Sequence, residues 1–397
     1  MSRPQRPGNL VPVPGNGQVA LSWSASPGAE EYLVMRRNGG YILGTQVIEP
    51  GAWELILRTS ETSATDPGVV NGYIYGYTVR AWNSAGQSPD SDMATARPIS
   101  GREICVVNTG TSYGKFMDAN IEVFDSTSDG AAPPLRYVRR IAGLDGPAGV
   151  AYSAVPDLLA VANSRDGTVA LFSGKANGAD GPVSVINTGA TSSPSGVVFG
   201  PSGEEIFVSC PALDSVAVYS TALTAPGGML RKIAGVSTGL ASPRGMAIDP
   251  RAGIILVANS GNDSITAFPL ETSGDTPPVR RIAGDTTGLR SPSGVAVDGS
   301  SGRLLAANSG NNSIEAFPLE ASGDVAPLVK ISGNATIIRE PSGIAVDENS
   351  GEIFLANTGN YSILVFPGAA VGNVPPARTI SGMESGVNGP VGIAVVR

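Results

Sequence analysis

Two patterns of apolar and polar positions divide the chain. Over roughly the first hundred residues apolar side chains alternate singly, as Val19, Leu21 and Trp23, then Tyr32 and Val34, then Tyr73, Tyr75, Tyr77, Val79 and Ala81. A period of two sets one face of each segment against a core and the other toward water, so these stretches are half-buried strands. Asp66-Pro67-Gly68 and Asn71-Gly72 supply turns between them. From about residue 102 the pattern becomes short β-branched runs in a fixed order. The stretch 292–333 is written three times without a gap, its Pro-x-Gly starts at Pro243, Pro292 and Pro341 falling 49 residues apart. Looser copies start at Pro147 and Pro194, and a truncated one at Pro390. Such a period is the mark of a stacked or radially repeated architecture.

Each copy divides into four short strands, in the central one at 294–297, 303–307, 313–317 and 327–331, with turn-forming residues at 298–302, 308–312 and 319–326 between them. A four-stranded antiparallel unit of this length predicts a propeller blade. The residue sixteen after each starting proline is Asn163, Cys210, Asn259, Asn308 and Asn357, and a sixth equivalent is Asn108. The chain therefore enters this region mid-blade, with strands at 104–108, 121–124 and 136–141, and the final GPVGIAVVR supplies the missing first strand. The expectation is an all-β protein: a β-sandwich over 1–98, a linker over 99–103, and a six-bladed β-propeller over 104–397 whose two ends share one blade. Sharing a blade removes a sheet edge.

Composition narrows the function. Gly (52) and Pro (31) fit a turn-rich all-β chain. There is no histidine, which removes His-ligated zinc, a Ser-His-Asp triad and a histidine general base together. The net charge of −8 and isoelectric point near 4.8 leave no basic field for nucleic acid. Cys105 and Cys210 fall in non-adjacent units and are expected as free buried thiols. No apolar run of about 18 residues and no apolar core in MSRPQRPGNL predict membrane insertion or a secretory signal, so an extracellular location would be reached by another route, such as assembly into a virus particle.

The segments LSWSAS, EYLVMRR and YIYGYTVRAWNSAGQSPDS resemble a fibronectin type III domain. The resemblance implies that Trp23 packs in the core and that the Tyr75 hydroxyl bonds a backbone group across the sandwich. Trp53 and Trp82 are expected as half-buried strand aromatics. The motif P-x-G-(IV)-A-(VI)-D followed by N-(ST)-G-N-x-S-I-x-x-F resembles the NHL-type six-bladed propeller over about the last three quarters of the chain. It departs from that family where an Asp usually ends the second strand and this chain has Asn. The family includes enzymes, protein-binding and RNA-binding modules and surface proteins, so the resemblance carries fold more than function.

Residues present in every unit solve a problem that every unit has. The Asn positions are therefore read as turn-formers that bond nearby backbone, Asp249, Asp298 and Asp347 likewise, and Phe172, Tyr219, Phe268, Phe317 and Phe366 as packing between blades. The same logic leaves the sequons at Asn262, Asn311, Asn334 and Asn360 as by-products of the repeat, and the basic residues near the last strands as guards of outer edges. The Asn-bearing turns and the links between units share one face, and the Asp298-type turns and Ser-Gly-Asp loops share the other. Function is expected where the repeat breaks. Between Asn108 and Ile121 lie seven more residues than between Asn308 and Ile314, and this insertion carries Tyr113, Lys115, Phe116 and Met117, the candidate contact loop. Packing of that loop on the N-terminal domain is the alternative. Cys210, the other break, has no histidine to activate it.

The reading is thus a non-enzymatic binding or structural protein, without cofactor or metal, that displays its propeller to a protein or glycan partner at a cell surface or in a large extracellular or viral assembly. It binds no nucleic acid. The competing reading is a lactonase-like propeller hydrolase with a metal in the channel. Asp145, Asp166, Asp263 and Glu384 are its candidate ligands, but they form no constellation, and the channel strands GVAY, GVVF, GMAI, GVAV, GIAV and GIAV carry no charge.

Overall fold

The computed structural model describes residues 2–39, 41–43, 46–48, 50–110, 119–139, 143–222 and 228–396. The chain is all-β, and among the described residues the helix is confined to single turns of 3-10 helix such as Val236–Thr238 and Asp285–Thr287. No helix among the described residues is long and apolar enough to cross a membrane.

Two compact units are present, the first comprising Met1–Glu103 with Phe124–Ser128 and Ala132–Leu135, the second the remainder. The division differs from the expected 1–98 and 104–397. The cause is polar: Arg97 donates to the carbonyls of Gly72, Pro134 and Leu135, Asn71 Nδ2 to Thr127 Oγ1, and the Ser100 N–H to Asp125, so two later segments are bonded into the first unit. Within that unit Val11–Gly15, Gln18–Ser22 and Ser63–Asp66 form one sheet, and Ala94–Ala96, Tyr75–Asn83, Glu31–Asn38 and Glu54–Thr59 another. Gln18–Ser22 alternates exposed and buried as its period demands, and Val19, Leu21 and Trp23 meet Tyr32, Val34, Tyr77 and Val79 in one core. The Tyr75 hydroxyl accepts from the Val70 N–H at 3.0 Å. Trp82 is half-buried, whereas Trp53 is exposed beneath the Arg37 guanidinium, 4.6 Å from its ring centre.

The second unit is built from four-stranded antiparallel sheets, six of them among the described residues. The sheet written by the central repeat runs Pro292–Asp298, Arg303–Asn308, Ser313–Pro318, Val329–Ser332 from inside to outside. The first strands contact one another in a closed circle: Pro147–Ser153, Val197–Phe199, Pro243–Asp249, Pro292–Asp298, Pro341–Asp347, Pro390–Val396 and back to Pro147–Ser153. Closure is made by Pro390–Val396, which pairs with Glu103–Asn108 from the start of the unit.

Three repeated devices hold the sheets together. Phe172, Phe268, Phe317 and Phe366 are fully buried and each packs against the sheet before its own, Phe317 among Leu256 and Ala258, for example. The five asparagines are also fully buried, and each side-chain oxygen accepts a backbone N–H from the link leading into an inner strand: Asp145, Ala241, Arg290, Arg339 and, across the closure, Asn388. They are backbone clamps. The third device differs from expectation. The Ser-Gly-Asp loops were assigned to the face opposite the asparagines, but each climbs the outer strand of the preceding sheet. Gly274 pairs with Ile233, Gly323 with Ile282 and Gly372 with Ile331, and Asp275, Asp324 and Asn373 accept the N–H groups of Ser237, Thr286 and Ala335. These loops cover an otherwise unpaired sheet edge, which a repeat read one unit at a time does not reveal.

Cys105 and Cys210 are buried, and neither is in a disulfide. Burial pushes the Cys210 thiol up to about 11, against the smaller opposing influence of Lys232 and of hydrogen bonds with Ser192 and Ser215. At neutral pH it is a protonated packing group. Between the ordinary thiol value and about 11 the unfolded chain releases a proton that the folded chain keeps, so stability is full below that window and falls as pH rises through it. The native protein at pH 8 is therefore expected to leave Cys210 unlabelled by a disulfide reagent until denaturant is added, and rapid labelling of Cys210 in the folded state would contradict this.

Candidate functional site at the channel mouth

Closing six inner strands into a circle leaves a cavity at the Pro-x-Gly end, about 430 Å³ in volume. Its floor is a ring of glycines, and sterics explain them. A Cβ at Gly149 would lie 2.3 Å from the Ser195 carbonyl oxygen, at Gly196 2.3 Å from that of Arg244, at Gly294 2.5 Å from that of Ser342, and at Gly392 2.9 Å from the Val150 nitrogen. Each inner strand thus touches the backbone of the next.

The variable residue of each Pro-x-Gly faces the mouth. In order around the circle these are Ala148, Ser195, Arg244, Ser293, Ser342 and Val391, all lining the cavity. The expectation of an uncharged channel is corrected here: the runs GMAI and GVAV are uncharged, but the residue before each glycine was left out of them. Arg244 is exposed, and its Nε donates to Ser260 Oγ at 3.0 Å. Its carbonyl is pinned at 2.7 Å by Ser209 Oγ, which also accepts from the Gly196 N–H at 2.7 Å. Ser209 is fully buried and stands where the next three units have Ala258, Ala307 and Ala356. Ser209, Cys210 and Arg244 therefore depart from the repeat in adjoining units, and the first serves to seat the third. The signal that would have found Arg244 is the one applied to Cys210, a residue unlike its repeat equivalents.

A second cation, Arg165, also lines the mouth but stands 3.7 Å from Asp145. The remaining hydrolase candidates are engaged in turns: Asp166 accepts from Thr168, and Asp263 from the Ser291 N–H. None of these carboxylates, nor Glu384, lines the cavity. Among the described residues no three of His, Cys, Asp and Glu gather in a group that fits a metal. Tyr113, Lys115, Phe116 and Met117 lie outside the described residues. The stem of their loop, Thr109 and Gly110, lines the mouth.

Comparison with known proteins agrees with a propeller. A family model described as "Lactonase, 7-bladed beta-propeller" matches residues 181–283, and one for the NHL repeat matches 289–317 and 339–366. Among curated proteins, the amylopullulanase of Thermoanaerobacterium thermosulfurigenes is 36% identical over 104 residues, which are 25% of this chain and 5% of that one. That of Thermoanaerobacterium saccharolyticum is 33% identical over 96 residues, 24% of this chain and 7% of that one. The chain thus spans less than a tenth of either relative. Among solved structures, the nidogen/laminin complex contains a chain with TM-score 0.56 and 17% identity, matched over 75% of this chain and 99% of that chain. A protein of Desulfotomaculum acetoxidans DSM 771 with unknown function gives 0.51 and 12% over 75% and 99%. A protein of Bacteroides fragilis NCTC 9343, provisionally assigned as a 6-phosphogluconolactonase, gives 0.50 and 13% over 94% and 100%. At these identities the likeness is one of fold.

Proposed function

We propose that this chain is a non-enzymatic binding and structural protein that displays its propeller to a protein or glycan at a cell surface or within a large extracellular or viral assembly. The observation that carries the reading is the channel mouth itself, an open cavity lined by glycine backbone, hydroxyls and two cations, without a carboxylate among its lining residues. Such a surface recognises by hydrogen bonding and shape. Thr109 and Gly110, which precede the candidate contact residues in the sequence, line the same mouth. The first unit is read as a fibronectin type III-like module, supported by buried Trp23 and by the Tyr75 hydroxyl bonded to backbone at Val70.

A hydrolase is the second reading, favoured by the lactonase match over residues 181–283. The two part in one experiment on the full chain. On a defined panel of glycans and displayed surface proteins, the wild type is expected to bind at least one member, and replacing 111–118 by a Gly-Ser linker is expected to abolish that binding with the melting temperature unchanged. Turnover of lactones or esters together with a stoichiometric metal, and no binding to the panel, would replace the first reading by the second.

A further inference from the structure

Around the circle, the variable Pro-x-Gly positions are Ser195, Arg244, Ser293 and Ser342 in four consecutive sheets and Val391 and Ala148 in the other two, where Thr109, Ser164 and Arg165 add polar groups beside the two apolar side chains. The polar groups are not equivalent. Ser293 Oγ is committed to the Pro341 carbonyl at 2.7 Å and so ties one inner strand to the next. The half-buried hydroxyls of Ser195 and Ser342 make no side-chain hydrogen bond to any described group. Arg244 spends only Nε, on Ser260. Its two terminal nitrogens, the pair that grips a carboxylate in bidentate fashion, have no partner among the described residues. The other cation of the mouth, Arg165, already has Asp145 nearby.

We propose that this mouth binds a carboxylated sugar, a hexuronic acid residue, with its carboxylate on the Arg244 guanidinium. The inference rests on the binding reading above and names its ligand class. A pyranose ring has hydroxyls around its edge and C–H groups on its faces. It matches a mouth that offers free hydroxyls at Ser195 and Ser342 and the apolar side chains of Val391 and Ala148. The cavity volume lies within the ordinary range for small-ligand sites. The carboxylate is what selects among sugars. A chain of net charge −8 disfavours anions in general, so a cation with two open donors, its carbonyl held by the buried Ser209 of the preceding unit, is a local exception with a specific consequence.

The test is calorimetric or saturation-transfer titration of the full chain with methyl glucuronide and with methyl glucoside, at low and high salt. The wild type is expected to prefer the glucuronide by about tenfold or more, with the preference shrinking as salt rises. Arg244→Ser, which installs the residue found at three of the five equivalent sites, is expected to bind both sugars alike and to melt as the wild type does. Arg244→Lys keeps the charge but loses the fork, and is expected to retain part of the preference. Val391→Ser should weaken both sugars by the same factor. No glucuronide binding by the wild type, equal binding of the two sugars, or an undiminished preference in Arg244→Ser would each overturn the proposal. Retention of wild type and Arg244→Ser alike on the glycan and protein panel would overturn the acidic-sugar proposal and leave the binding reading standing. Lactone turnover without any retention would remove the binding reading itself.

Discussion

Deleting residues 390–397 is expected to abolish cooperative unfolding of the propeller unit. The strand Pro390–Val396 is the inner strand of a sheet whose other three members come from the start of the unit, and it also contacts the inner strands on both sides, Pro147–Ser153 and Pro341–Asp347. Ile393 and Val396 are buried to within 6% of full exclusion, each worth roughly 1.5–3 kcal/mol of burial. Removing the strand also takes away the hydrogen-bonding partner of Glu103–Asn108 and leaves that strand's edge unpaired. The sum is comparable to the whole stability of an ordinary domain, about 5–15 kcal/mol. Scanning calorimetry should show the propeller transition lost. A cooperative transition within about 5 °C of the wild type would show that the closing strand is dispensable.

The second large effect is expected from Gly294→Val. A Cβ there meets the Ser342 carbonyl oxygen at 2.5 Å and the Ile344 backbone nitrogen at 3.3 Å, both parts of the adjoining inner strand. No rotamer relieves a clash with backbone, so the strand must move, and in a closed circle it moves against the next one. The cost is set at about 3 kcal/mol or more, the upper end for overpacking. Gly181→Val is the control, since nothing lies within 4 Å of its Cβ and its backbone is unstrained. A chemical denaturation curve should separate the two by that amount. Equal midpoints would mean that the inner strands are not in the tight circle described.

What could be read from the sequence was whatever the repeat states more than once. Asn308 and Phe317 recur, and their recurrence marked them as maintenance residues before any coordinate was consulted; Asn308 clamps the Arg290 N–H and Phe317 packs on the preceding sheet. The closing strand was legible for the same reason, because GPVGIAVVR is a recognisable fragment of the unit. Contacts between units left no such trace. That Gly323 pairs with Ile282 of the sheet before it depends on how one blade leans on its neighbour, which no periodicity within a blade encodes. The mouth was half legible. Its glycines recur in every unit, but the residue preceding each varies from unit to unit, so no repetition marks Arg244, and the GMAI run beside it is uncharged. Ser209 was hidden more deeply, since its role is a pair of backbone bonds to Gly196 and Arg244 in different units.

The asparagine clamp also sets an order of events in time. Its bond joins residues 18 apart in four of the sheets, but 280 apart where Asn388 donates to Asn108. As the chain leaves the ribosome, the four local clamps can each close within seconds of being made, whereas Asn108 waits through nearly the whole synthesis for its donor. For that interval the strand Glu103–Asn108 shows an open edge to the cell, at the place where a chaperone or a second nascent chain has its best opportunity to intervene.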